Sequence, residues 1–290
     1  MAGIETEGHP FRTRTVTPPL EATELLKRDG IRYSICTLVN SPDQYRAMEH
    51  SFQAAGFTGH DVEFLYLDNV GGNRFDAYAG VNLFLALARG EFIILCHQDV
   101  VLAFDDRLVL DRRIAEVTER DPTWAVLGNA GGFSPGQLAL HISDPHGEDR
   151  RMGQLPCRVT ALDEDFILVR RKANLGLPRA VEGFHFYGAA LCVSADMLGH
   201  SSWAIDFHLR HLSGGVAGPS FLLCKRALIG HFRRAWRPRW VTTPSGSLYL
   251  SGSSWASHLL NLRPVVGIRR RLKLGRNPAR SIDVHRHALS

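Results

Sequence analysis

Between Tyr33 and Leu127 the chain alternates short apolar runs with longer amphipathic ones. This alternation limits the fold more than any other feature of the sequence. Tyr33–Val39 (YSICTLV) reads as a first strand, closed by the turn-forming Asn40-Ser41-Pro42-Asp43. Asp43–Ala55 is expected to be helical, with Gly56 near its C-terminal end. Val62–Leu67 (VEFLYL) is a second strand, running into Asp68-Asn69 and a Gly71-Gly72 break. Arg74–Ala88 has helical apolar spacing and stops before Gly90. Phe92–Cys96 (FIILC) is a third strand and ends at His97-Gln98-Asp99. A helix over Asp106–Arg120 and a strand at Trp124–Leu127 follow. Strands of about five residues between helices of about twelve or more signal βαβ units and a parallel sheet. In such sheets ligands bind beyond the carboxyl ends of the strands. Asn40, Asp68-Asn69 and His97-Gln98-Asp99 are therefore expected on one rim, where a nucleotide site needs polar groups. The expected class is α/β, a Rossmann-type nucleotide-binding sheet flanked by helices.

After Gly128 the pattern loosens. Gly131–Arg158 reads as loops with short strands, Phe166–Val169 as a strand, Phe186–Leu198 as a helix and Phe221–Ala235 as a basic amphipathic helix. Three regions result: an irregular lead-in over 1–30 with a short helix at Leu20–Lys27, one domain over 31–262 whose acceptor half is irregular from about residue 130, and a basic tail over 263–290.

Composition excludes other classes. At 290 residues with 44% hydrophobic and 22% charged residues, disordered, collagen-like and coiled-coil chains are ruled out. The longest apolar stretch, Val81–Cys96, is interrupted by Arg89 and Glu91, so no membrane-spanning helix is expected, and the N-terminus lacks the order of a signal peptide. Five scattered cysteines without a CxxC point to a reducing cytoplasm. The net charge of +5 is unevenly spread: residues 1–224 carry −8 and residues 225–290 carry +13, with Asp283 the one acid in the latter. Basicity confined to one end implies a local contact with lipid headgroups, phosphates or nucleic acid.

No GxGxxG follows the first strand, and GxxxxGK[ST], GxSxG and HExxH are all absent. Gly71-Gly72 reads as a turn. His97-Gln98-Asp99 is more telling: a carboxylate ending a buried apolar strand suits a hard divalent cation that also takes substrate phosphates, or it caps the following loop.

The ordered set of strand, helix, Asp68-Asn69, a helix carrying Asn82, and FIILCHQDV resembles a GT-A-type glycosyltransferase. The similarity is to the family 2-like branch in which the usual Asp-x-Asp motif appears as His-Gln-Asp. It continues through Gly128-Asn129-Ala130-Gly131, Leu162-Asp163-Glu164 and Gly183-Phe184-His185-Phe186-Tyr187-Gly188 to His211-Leu212-Ser213-Gly214-Gly215, and so covers roughly Tyr33 to Trp240. The resemblance implies a GT-A-like fold and transfer of a sugar from a nucleotide-sugar donor to a glycan or lipid-linked acceptor, metal-dependent and inverting. It assigns Asp68 to the base or ribose, Asn69 and Asn82 to the shape of that pocket, Asp99 to Mn2+ or Mg2+ against the diphosphate, and His211 to the same metal. His208, three residues before His211, is a second imidazole that helical spacing would turn the same way. His185 and Tyr187 are expected in packing or the acceptor pocket.

The catalytic base departs from the pattern. Related sequences carry an Asp in an order like Tyr-Gly-x-Asp-Leu-Cys, and here that place is Ala190. Either another carboxylate serves, with Glu164, Asp163 and Glu182 as candidates, or the chain is a catalytically impaired nucleotide-sugar-binding relative. Asp163-Glu164-Asp165 also reads as a solvated acidic turn. At the basic end, Ile268, Leu272 and Leu274 among Arg269, Arg270, Arg271 and Lys273 suit an anionic membrane surface at the inner face, or a solubilising tail. Trp236 and Trp240 near several Arg raise nucleic-acid binding, which no recognition motif supports.

Overall fold

A computed structural model describes residues 30–215 and 218–272; the expected helix at Leu20–Lys27 and the tail beyond residue 272 lie outside the described residues. In chain order the first elements are β1 (Tyr33–Val39), α1 (Pro42–Ala54), β2 (Val62–Asp68), α2 (Ala77–Leu87), β3 (Phe92–Cys96), β4 (Val100–Val101), α3 (Arg107–Arg120) and β5 (Trp124–Gly128). Then come β6 (Ala130–Ser134), β7 (Gln137–Asp144), β8 (Gly147–Met152), β9 (Cys157–Arg158), β10 (Ala161–Leu162) and β11 (Phe166–Arg170). The chain continues through α4 (Tyr187–Met197), β12 (Ser201–Ala204), β13 (Leu209–His211), α5 (Pro219–Ala235), β14 (Arg239–Thr243), β15 (Gly246–Leu250), α6 (Ser254–Leu260) and α7 (Arg263–Arg271).

The main sheet runs β2-β1-β3-β11-β5-β12-β9, and helices cover both faces, as expected of an α/β chain. Strand alternation divides the core in two. Tyr33 and Ile35 of β1, with Phe92, Ile94 and Cys96 of β3, face one cluster, which receives Met48 and Phe52 of α1 and Leu110, Ile114 and Val117 of α3. Cys36 of β1, with Ile93 and Leu95 of β3, faces the other, which receives Tyr78, Val81 and Phe84 of α2 and Ala190, Leu191 and Ala195 of α4. A strand buried on both faces has to be apolar throughout, which is why FIILC and YSICTLV are recognisable as continuous runs.

The structure departs from the expected parallel sheet at β11. β1 pairs in parallel with β2 and β3, and β12 with β5, but β11 lies antiparallel between β3 and β5. The chain enters β11 after a second sheet, ordered β10-β6-β7-β13-β4 with β8 on β7, and so returns from the opposite end. That second sheet bears out the short strands expected over Gly131–Arg158 and is more regular than the loops expected between them. β8 (GEDRRM) has no apolar alternation, and its register comes from its tight connection to β7. The basic segment also differs, since Arg263–Arg271 is helical where a tail was expected. A small β14–β15 hairpin precedes it.

Candidate functional site

The ends of β1, β2 and β3 meet on one rim, as expected. Gln98 fastens two of them: its Oε1 accepts from the Asn40 N–H at 3.0 Å and the Ser41 N–H at 2.9 Å, and its amide donates to Asn40 Oδ1. The Asn69 N–H donates to the Val39 carbonyl at 2.7 Å. The Asn69 side chain brackets Phe75, accepting its N–H at 2.9 Å and donating to its carbonyl at 2.8 Å.

Just past that rim, β4 pairs antiparallel with β13, placing Val100 opposite His211, and the Leu212 N–H donates to the Asp99 carbonyl at 3.0 Å. This pairing brings His211 to the His97-Gln98-Asp99 turn. His211 Nε2 lies 3.3 Å from Asp99 Oδ1 and 3.4 Å from His97 Nδ1. His97, Asp99 and His211 offer ligand atoms that all lie within 4.8 Å of one another.

The hydrogen bonds around this group fix its chemistry. Tyr187 Oη has one proton and donates it to the Glu164 carbonyl at 2.8 Å. Its 3.0 Å contact with His97 Nε2 is therefore accepted from an imidazole N–H. The remaining His97 nitrogen, Nδ1, keeps its lone pair and faces His211 and Asp99. Burial and the neighbouring His211 push His97 down to about 4, so it is neutral near pH 7. Burial raises Asp99, but the hydrogen bonds of His211 and Ser213 outweigh it and hold the carboxyl well below its usual range. A carboxylate oxygen and two imidazole nitrogens with edges of 3.3 and 3.4 Å fit a single divalent ion, because ligands about 2.1 Å from a tetrahedral centre stand about 3.4 Å apart. Two imidazoles suit a transition ion better than Mg2+.

The same cavity, about 710 Å³, is lined by Asn40, Asn69, Asp99, Glu164, His185 and His211, among others, and is sized for a small-molecule ligand. Glu164 is its unusual group. Burial and the charge of Asp163 push its carboxyl up to about 8, although the N–H groups of Gly188 and Phe186 at the start of α4 pull the other way. Gly188 makes that approach possible: a Cβ there would lie 2.4 Å from the Leu162 carbonyl oxygen. Phe186, the N-cap of α4, sits in the left-handed region at φ 66°, a conformation that costs a non-glycine residue about 1–3 kcal/mol. Glu164 is therefore a carboxyl group positioned by a locally strained helix start and raised, against that helix start, by burial and by Asp163.

The other expected residues divide. Asp163 lines the cavity and is exposed, its carboxylate accepting the Glu164 N–H at 2.8 Å. Asp68 does not line the cavity; it accepts from the Val70 N–H and from Arg74, both at 2.9 Å. Nor does Asn82, whose amide clamps the Leu177 backbone by donating to the carbonyl at 3.1 Å and accepting the N–H at 2.8 Å. Glu182 is exposed away from the cavity. His208 does not join His211, because this stretch is extended and residues three apart point to opposite faces. It lies instead in a stack with Phe104 at 3.8 Å and His141 at 4.1 Å, bonded to Ser143 Oγ at 2.8 Å. His141, Asp149 and His208 also come within ligand reach of one another, but the rings of His141 and His208 lie 20° from parallel and their lone pairs do not converge on one ion. Ala190 is fully buried in the apolar cluster and is not part of the cavity lining. Sequence reasoning missed His97 as a candidate ligand and Tyr187 as its hydrogen-bond partner. The available signal was the His-x-Asp spacing, which in a tight turn brings both side chains to one point.

No family model matches the chain. A protein of Fuscovulum blasticum described as "ATP synthase subunits region ORF 6" is 38% identical over 231 residues, covering 77% of this chain and 92% of its own length. Among solved structures, a mannosyltransferase from Pyrobaculum calidifontis in complex with GDP-Man and Mn2+ superposes with a TM-score of 0.47 at 13% identity, over 90% of this chain and 83% of its own. S. aureus TarS in complex with UDP-GlcNAc superposes at 0.43 and 12% identity, over 64% and 60%. Superpositions at this level carry no argument about chemistry.

Proposed function

The chain belongs to the family of the Fuscovulum blasticum ATP synthase subunits region ORF 6 protein, whose name states no reaction, and from its own site we propose that it is a GT-A-like, metal-dependent glycosyltransferase of the family 2-like branch. It moves a sugar from a nucleotide-sugar donor to a glycan or lipid-linked acceptor, with inversion. The observation that carries this reading is the convergence of His97 Nδ1, Asp99 and His211 at the end of β3, in one cavity with the raised-pKa carboxyl of Glu164.

Each residue has a task. His97, Asp99 and His211 would hold the cation, with Mn2+ favoured over Mg2+ by the donor set, and Tyr187 orients His97. When bound, such a cation offsets charge on the diphosphate leaving group. Asn69 and the Gln98–Asn40 staple shape the rim for the nucleoside. Asp68 and Asn82 act on that pocket through the loops they fix, Asp68 at Val70–Arg74 and Asn82 at Leu177. Glu164 in its ionised form takes the acceptor hydroxyl proton while the acceptor oxygen bonds to the anomeric carbon. The bond from that carbon to the donor phosphate oxygen breaks, and the nucleoside diphosphate leaves with the electron pair. A base with a pKa near 8 is matched to work near neutral pH. Burial, helped by the charge of the exposed Asp163 beside it, keeps that pKa high. The impaired-relative alternative rested on Ala190, which belongs to the apolar core, and Glu164 already supplies the cavity with a carboxyl group.

The test is melting-temperature shift with a panel of nucleoside diphosphates, with and without Mn2+, followed by transfer assays with the donor so identified. A ligand that binds only the folded state stabilises it by mass action. Metal-dependent stabilisation by one nucleotide, lost in Asp99→Ala, supports the reading. A folded protein that answers to no nucleotide refutes it.

A further inference from the structure

One helix of this protein is apolar on two sides. The inner side of α5 is anchored to the body: Cys224 and Phe232 are buried, Leu228 packs on the core cluster, and Phe221 contacts Phe186 at 4.5 Å. Its outer side carries Leu222, Arg226, Ile229, Arg233 and Trp236 at spacings of four, three, four and three residues. That spacing forms one continuous stripe. Leu222, Ile229 and Trp236 on it are 55%, 59% and 55% exposed. Core packing explains the inner side and leaves the outer one without a structural reason.

The pattern continues beyond the helix. Trp255 of α6 is 74% exposed, and Ile268 and Leu272 at α7 are 58% and 62% exposed. Eleven of the 23 exposed large hydrophobic residues fall between residues 219 and 272, under a quarter of the described chain. The same stretch has ten Lys and Arg and no Asp or Glu. Apolar exposure at this density marks a contact surface.

We propose that the outer side of α5 is a docking face for an anionic lipid bilayer. Leu222, Ile229 and Trp236 enter the headgroup boundary, and Arg226, Arg233 and Arg234 engage lipid phosphates. A basic face with aliphatic and Trp anchors is the signature of a helix lying in a membrane interface. Charge complementarity selects this occupant. The same face of a second copy is repelled by its like charge, and nucleic acid offers phosphates but nothing to cover Leu222 and Ile229. The proposal goes beyond the basic tail, since the face is built into the folded chain. It also gives the site a geographical sense. The helix starts at the cavity, where Ser220 Oγ lies 3.4 Å from His185 Nε2, so an acceptor carried on a lipid would be presented at the cavity mouth. The docking itself does not depend on the transferase reading.

The experiment is flotation of the full chain with vesicles of phosphatidylcholine alone or mixed with phosphatidylserine, together with Trp emission. Three full-length variants are compared: Leu222→Ser/Ile229→Ser/Trp236→Ser, Arg226→Gln/Arg233→Gln/Arg234→Gln, and Lys273→Gln/Arg276→Gln/Arg280→Gln. Circular dichroism and melting temperature check that all remain folded. The native protein should bind the anionic vesicles only, with salt-sensitive affinity and a blue shift in emission. The Arg variant should lose on the order of a hundredfold in affinity and the apolar variant at least about tenfold, while the tail variant keeps most of its binding. No vesicle binding by the folded native protein would overturn the proposal. So would loss in the tail variant alone, a stable dimer that shields Trp236, or displacement of the vesicles by single-stranded oligonucleotide. Nucleotide binding measured without vesicles should be the same in all variants, so failure of the transferase reading is seen separately.

Discussion

Replacing Glu164 by Gln should make the protein more stable and less active. Glutamine keeps the shape and the oxygen that accepts from the Phe186 and Gly188 N–H groups, and removes the charge. In the folded protein the Glu164 carboxyl is pushed from 4.5 up to about 8, whereas in the unfolded chain it titrates near its ordinary value. Between those two values the folded state holds the extra proton, so stability falls as pH rises through the window. At about 1.4 kcal/mol per unit, the full cost of ionising the half-buried group is at most about 5 kcal/mol, of which about 3 kcal/mol is already felt at pH 7. The variant should match the native protein below about pH 4.5 and exceed it by about 3 kcal/mol at pH 7, a rise in melting temperature of roughly 5–10 °C. The gap should widen further towards pH 9. The assay is thermal unfolding from acid to mildly alkaline pH in the presence of chelator, paired with transfer activity. Parallel melting curves at all pH values, or a variant that is less stable at pH 8, would refute the electrostatic argument. A variant with undiminished turnover would remove Glu164 as the base whatever its stability.

Other outcomes follow from the same geometry. In the native enzyme the rate limb governed by Glu164 should rise with pH and level off above about 8, the reverse of the stability trend; a flat profile across pH 6–9 (roughly the window of this pKa) would contradict it. Tyr187→Phe removes the acceptor that fixes the His97 tautomer and should weaken Mn2+ binding by about 10–100-fold, read by isothermal titration, with the fold retained; unchanged affinity would mean that His97 is not oriented this way. Gly188→Ala places a Cβ 2.4 Å from the Leu162 carbonyl and should cost about 1–3 kcal/mol while displacing the donors to Glu164. Unaltered denaturant midpoint and activity would show that this close approach is dispensable.

Much of the fold was legible because strand and helix periods leave local marks. β1, β3 and the helix over Arg107–Arg120 lie within a residue of where their apolar spacing places them, and the expected rim of strand ends is present. Alternate residues of FIILC serve two cores, so the strand has to be apolar throughout and stands out in the sequence. The antiparallel course of β11, by contrast, depends on where the chain re-enters the sheet, and no residue of FILVR records that direction. The second sheet was hard to see for a related reason, since β8 takes its register from a partner and not from its own pattern.

The site divides in the same way. By itself the sequence determined which residue types were available and that a His-x-Asp turn ends a buried strand, since these are properties of neighbouring positions. The resemblance already assigned His211 to the metal, and the tertiary structure showed why His208 does not join it, because the β4–β13 register selects one face of an extended segment. Only the tertiary structure decided that Ala190 belongs to the core and that Glu164 is pushed up to about 8. Desolvation, nearby charge and lone-pair direction depend on what surrounds a group in space, and those neighbours come from distant parts of the chain.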